Sequence, residues 1–186
     1  MRGVYLLSMS LFPLMISTGM IYSVLPIYLS KSLGAEEMQV GMLFTTGAAT
    51  GAISSIFLGR VADRIGRKPL VVSSQLLFAA AMILYSSIST YIHAFPIHII
   101  EGFGWAMVSI SAPALIADIA GRERRGEAMG VYNTVWNLGW VVGPFLGGTL
   151  AQFYGFKMAL RVSFAMIVFG AVLTSLLVEE KSRKGK

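Results

Sequence analysis

His98 and Glu101 are the two side chains best suited to handling a proton. They stand three residues apart in an apolar stretch, so on a helix they share one face and can meet. Ionisable groups inside a membrane are costly and usually line a bundle interior or a pathway. Histidine titrates near neutral pH. A ligand that separates an imidazolium from a carboxylate would therefore capture or release a proton. The other place for His98 is a wet position at the outer end of its helix. A second group is built for ion pairing rather than proton transfer: Arg60, Asp63, Arg64, Arg67 and Lys68 crowd one short stretch. Asp118 is followed by Arg122, Glu123, Arg124 and Arg125. It can pair with these bases or with Arg67 across a bundle, and as an isolated surface pair it would contribute about 0–1 kcal/mol. Asn133 and Asn137 lie one helical turn apart with Trp136 and Trp140 beside them. They would line a cavity for lipophilic ligands, or pack against lipid and neighbouring helices.

Other chemistry finds no residues to carry it. The only histidines are His93 and His98, and there is no cysteine. No serine–histidine–acid set, metal-ligand spacing or phosphate-cradling loop is visible. Gly19 stands alone in an apolar run and makes no nucleotide fingerprint. The expectation is a non-enzyme with no metal and no cofactor.

The elements that must position these residues are membrane helices. The chain has 186 residues, of which 55% are hydrophobic and 13% charged, whereas a soluble domain carries about 25% charge. A span needs about 20 apolar residues. Six stretches qualify, at 4–29, 38–58, 70–89, 95–119, 128–151 and 158–178. Barrel strands are shorter and alternate, so the expected fold is an all-α, six-helix transmembrane bundle over 1–178. Residues 179–186 read as a solvated basic tail. The first stretch is too long for a signal-peptide core and lacks a cleavage pattern, so it reads as a retained helix. Twelve of the 15 Lys and Arg fall on one side of this topology. The positive-inside rule then places both termini in the cytoplasm of a multi-pass cell-membrane protein. The formal charge of +6 is accounted for by this asymmetry, and no nucleic-acid partner is expected.

Glycines add two further patterns. Gly59, Ala62, Gly66 and Lys68 recur in order as Gly148, Ala151, Gly155 and Lys157. The first copy follows the second span and the second copy the fifth, on opposite membrane faces. That is the expectation for two inverted three-helix units. Asp63, Arg64 and Arg67 become Gln152, Phe153 and Phe156, so the turn recurs without most of its charge. In the fifth span, Gly139, Gly143, Pro144, Gly147 and Gly148 form a smooth strip for close helix approach, kinked at the proline.

The stretch Gly59-x-x-x-Asp63-Arg64-x-Gly66-Arg67-Lys68 resembles the signature loop of the major facilitator superfamily, between its second and third helices. His98-x-x-Glu101-Gly102-x-Gly104 resembles that family's fourth-helix pattern, R-x-x-Q-G-x-G. Here histidine replaces the arginine linked to proton coupling and glutamate replaces the glutamine, which suggests a different proton carrier. The fifth-span glycine strip resembles the motif of the family's drug/proton antiporters. The resemblance covers essentially the whole chain, as the N-terminal six-helix half of a twelve-helix fold. It implies proton-coupled efflux of small, often lipophilic molecules by alternating access. It also implies a lipid bilayer around the chain and a second six-helix half, from a separate chain or a second copy. Within it, Gly59 to Lys68 act as a conformational switch, and Asp118 with Arg122 and Arg125 as its charge network. The alternative reading is a non-transporting scaffold or regulatory remnant that binds partner helices.

Overall fold

The computed structural model describes residues 1–180. They form six α-helices: α1 Arg2–Leu33, α2 Glu37–Ile65, α3 Arg67–Tyr85, α4 Ala94–Ala120, α5 Arg125–Tyr154 and α6 Phe156–Leu177. A one-turn 3-10 helix, Tyr91–His93, leads into α4. No strand is present among the described residues. The bundle is all-α, as the apolar runs require, because a helix satisfies its own backbone in lipid.

The helix ends overrun the apolar stretches, and this corrects the loop reading of the charged knot. α2 continues to Ile65 and α3 begins at Arg67, so Gly59, Arg60, Asp63 and Arg64 are helical. The connection is Gly66 alone, at φ 100° and ψ 159°, a backbone region essentially closed to other residues. Gly155 makes the same break between α5 and α6, at φ 84° and ψ 160°. Capping sets the other ends. Gly34 stops α1 in the left-handed conformation, and a capping box of Glu36 with Gln39 starts α2.

Packing follows the internal repeat. α1 packs on α5 and α6, α4 packs on α2 and α3, and α3 packs on α6. Exchanging α1 with α4, α2 with α5 and α3 with α6 maps this set onto itself. The two three-helix units are therefore interleaved: α2 and α5 each leave their own unit to lie on the first helix of the other. The buried stripes keep the same register, with Leu43, Ser54 and Leu58 of α2 matched by Tyr132, Gly143 and Gly147 of α5.

Five of the six helices are long and apolar enough to cross a membrane on their own composition. α5 is not among them, although it runs for 30 residues. Its glycines, Asn133, Asn137 and two threonines lower its hydropathy. Its place in the bundle rests on the α1 seam, where glycine lets two backbones touch.

Candidate functional site

The shared geometry of the repeat leaves two polar clusters, one at each end of α3. The first lies at the bundle end that carries Arg2 and Glu180. Arg67 begins α3 just after the Gly66 break. Its guanidinium pairs with Asp118 at the end of α4 and lies 3.8 Å from Asp63 one turn before it. It also donates to the Ala114 carbonyl at 2.7 Å. Helices α2, α3 and α4 are thereby tied through one side chain. The Arg67 side chain is 16% exposed and that of Asp118 37%, so this pair is partly shielded from water and holds more strongly than a surface pair.

Arg122 and Arg125 are exposed and make no ion pair among the described residues. The base that pairs in that stretch is Arg124, with Glu127, at 2.8 Å. Of the two partners open to Asp118, the structure selects Arg67. Lys68 turns away from the acids and donates to the Ser175 carbonyl of α6 at 2.8 Å.

Glu180 completes this end. Its carboxylate accepts the backbone N–H groups of Arg67 at 2.6 Å and Lys68 at 3.1 Å. These are orphan donors in the first turn of α3, where the helix dipole also favours an anion. The reading of the tail as solvated from residue 179 is corrected at this position; residues 181–186, with the rest of that basic tail, lie outside the described residues. A Cβ on Gly66 would come within 2.8 Å of the Glu180 carboxylate, so glycine serves both the turn and the cap.

The second cluster lies at the other end of α3. His98 and Glu101 are 2% and 1% exposed, with Nδ1 and Oε2 3.4 Å apart. The wet position for His98 is excluded by that burial. The Tyr85 hydroxyl, from the last residue of α3, bonds His98 Nδ1 and lies 3.4 Å from Glu101 Oε2. The Tyr85 carbonyl in turn accepts from the Tyr28 hydroxyl of α1 at 3.2 Å. Glu101 Oε1 is buried and accepts no hydrogen bond of ordinary geometry among the described residues.

Close packing of α2 on α4 frames this cluster. A Cβ on Gly47 would stand 2.6 Å from the His98 ring, and one on Gly102 would collide with the Gly47 carbonyl. Beside the seam is a cavity of 480 Å³, lined by Tyr22, Phe44, Gly47, Gly51, Glu101 and Trp105 among others. The Trp105 indole donates to the Tyr22 hydroxyl at 2.7 Å.

The fifth-helix glycines divide. Gly139, Gly143 and Gly147 are buried, and any Cβ there would run into the α1 backbone between Met15 and Met20. Pro144 packs on Gly19 in the same seam. Gly148 and Gly59 face open space. Trp136 lies between Trp105 and Tyr132, with ring centroids at 5.6 and 5.8 Å. Asn133 and Asn137 are exposed and do not line the cavity between α2 and α4.

Comparison with known proteins settles the family. The model of the Major Facilitator Superfamily matches residues 7–186. The chain belongs to that superfamily. An uncharacterized MFS-type transporter of Methanocaldococcus jannaschii is 29% identical over 96% of this chain and 46% of its own length. The quinolone resistance protein NorA of Staphylococcus aureus is 24% identical over 98% of this chain and 46% of its own. A peptide transporter, POT, solved in complex with alafosfalin, superposes with a TM-score of 0.81 at 22% identity. That match covers 94% of this chain and 38% of the transporter, and it shows the fold. The chain thus spans under half the length of these relatives. With five apolar helices and this family, it is a multi-pass membrane protein.

Tyr22, Tyr85, Gly47 and Glu180 escaped the reading of the sequence. Gly47, Ala48, Gly51 and Ala52 carried a signal, a small-residue strip like that of the fifth span. Tyr85 and Glu180 sit at helix ends with no local pattern, and only the fold brings them to their partners.

Proposed function

We propose that this chain is one six-helix half of a secondary transporter, working by alternating access and exporting small lipophilic molecules against a proton gradient. The observation that carries this reading is the buried His98–Tyr85–Glu101 cluster, set beside a cavity at the α2–α4 seam. Buried ionisable groups are retained in membranes where they serve a pathway. A proton held between His98 and Glu101 in the absence of ligand, and released when the cavity fills, couples the two movements. The Arg67–Asp118 pair, with Asp63 beside it, then favours one conformation of the bundle and must loosen for the other. Both termini face the cytoplasm of the cell membrane, in keeping with the positive-inside rule. No enzymatic step is part of this reading, and no nucleic acid.

The relatives' greater length supports a second six-helix half, from another chain, from a second copy of this one or from a continuation of the chain. Crosslinking in native membranes is expected to trap such a complex; a monomer transporting at full rate defeats that part of the proposal. The decisive test is uptake into vesicles with an imposed pH gradient, alongside counterflow without one. His98→Gln and Glu101→Gln should each abolish gradient-driven transport and spare counterflow. His98→Arg should retain partial function. Wild-type transport indifferent to the gradient overturns the coupling, and absence of any transport with a second half present favours a scaffold.

A further inference from the structure

Glu101 borders the cavity between α2 and α4, but its carboxylate does not open into it. The residue is 1% exposed, and its Oε1 is buried. An occupant of the cavity reaches this acid through a side chain that belongs to both.

Tyr22 of α1 is that side chain. Its ring walls the cavity, 5.8 Å from Phe44 and 6.1 Å from Trp105, centroid to centroid. Its hydroxyl accepts the Trp105 indole N–H at 2.7 Å. A phenol that accepts one hydrogen bond still has its own O–H to give, and the carboxylate beside it is Glu101. That contact lies outside ordinary hydrogen-bond geometry, so the donor is close without being locked. The helix beneath it is soft at the same point, because Pro26 has no N–H for the Tyr22 carbonyl one turn earlier.

The other neighbours of the acid are held in place. Tyr85 from α3 and His98 from α4 face Oε2, and the Tyr85 hydroxyl also bonds His98. On the α2 side stand Gly47, Ala48, Gly51, Ala52 and Ser55, none of which titrates. α5 reaches the region with Trp136, against Trp105. Tyr22 is the donor whose distance to Glu101 can change when the cavity fills.

We infer that Tyr22 is a positioning residue that couples filling of the cavity to the proton held at Glu101. A body pressing on its ring brings its O–H onto the Glu101 carboxylate. A hydrogen bond to the charged form favours that form, so the proton leaves the His98–Glu101 pair for water while Tyr22 keeps its own. The same bond makes the phenol oxygen a better acceptor, and the Trp105 N–H bond tightens with it. The inference rests on the proposed proton coupling for its use in transport, but the relay is read without a gradient.

The test uses the full chain in lipid nanodiscs, with Trp136→Phe and Trp140→Phe leaving Trp105 as the single tryptophan. Raising the pH through the titration of Glu101 should strengthen the Trp105 hydrogen bond, seen as one step in the ultraviolet resonance Raman band of the indole N–H. Glu101→Gln should abolish the step. Tyr22→Phe keeps the ring and should cut the step at least fivefold, while the infrared carbonyl band of Glu101 still titrates; a side chain that only packs would leave the step in place. Ala48→Phe fills the cavity as an occupant would. By driving the O–H onto the carboxylate it should weaken proton binding about tenfold, moving the step to lower pH. Ala48→Phe also decides the matter if Tyr22→Phe fails to accumulate. A band indifferent to pH, a full-sized step in Glu101→Gln or Tyr22→Phe, or an unmoved step in Ala48→Phe overturns the inference. The expected steps with no gradient-driven transport would defeat the transport reading and leave the relay standing. Gradient-driven transport without the steps would do the reverse.

Discussion

The breaks at Gly66 and Gly155 are the same turn put to different uses. Each is a single glycine between two helices, at φ 100° and 84° with ψ near 160°. Each caps the preceding helix through one backbone bond of 3.1 Å, to Ala62 and Ala151 respectively. The side chains around the two glycines differ. Arg67 reaches Asp118, Asp63 and a carbonyl of α4, and Glu180 closes over the first amides of α3. At the second break Phe156 lies against Tyr28, 5.5 Å between rings, while Gln152 and Phe153 are exposed. A turn in this fold needs glycine and nothing else. The charges at the first break therefore stabilise something other than the turn, namely the relation of α2, α3 and α4 to one another.

Substitutions at the two breaks can sharpen or undo this contrast. The largest loss of stability is expected from Gly66→Ala, where backbone strain of about 1–3 kcal/mol is joined by a clash with Glu180. Gly155→Ala meets open space and should suffer the strain alone. Thermal unfolding in detergent compares them, and equal losses would mean that the Glu180 cap contributes nothing. Next comes Arg67→Ala, which strands Asp118 beneath α3. We expect a loss of about 1–3 kcal/mol, short of the cost at a fully buried pair because Asp118 is partly exposed, together with a shift in the conformational equilibrium read by site-directed spin labels on α2 and α4. Glu180→Gln keeps an acceptor but removes the charge at a helix N-terminus. A loss of about 0.3–1 kcal/mol should result, smaller in high salt, and a salt-independent loss would point to packing instead. The smallest effect on stability belongs to Asp63→Asn, since the acid is exposed and 3.8 Å from Arg67. Its expected signature is in function: transport falls while expression and ligand binding stay nearly intact. Collapse of binding with an unmoved conformational equilibrium would erase the distinction drawn between the two breaks.

Much of the fold was legible because lipid leaves few choices. Long apolar runs must be helices, and the repeated glycines showed in advance where two of them break. The boundaries were less legible: charged residues from Gly59 to Arg64 look like a loop, yet a helix leaving the membrane keeps its hydrogen bonds and carries charge equally well in water. The fifth span passed as apolar on inspection, while its seam with α1 shows a helix held by backbone contact. At the candidate site, the i, i+3 spacing of His98 and Glu101 predicted their meeting. Nothing predicted that Tyr85 would join them, and the charges offered to Asp118 by its own neighbours were passed over for Arg67.

The sequence by itself determined the class of protein, the number of helices, the positions of the glycine breaks and the chemistry available to the polar residues. These come from composition and from local spacing, which act within a few turns of chain. The tertiary structure alone decided that α2 lies on α4 and α5 on α1, that Glu180 caps α3, and that Tyr85 joins the buried His98 and Glu101. Such choices depend on which small residues let two distant backbones approach, and on which polar atoms are left without water once they do. Neither is written in any short stretch of the chain.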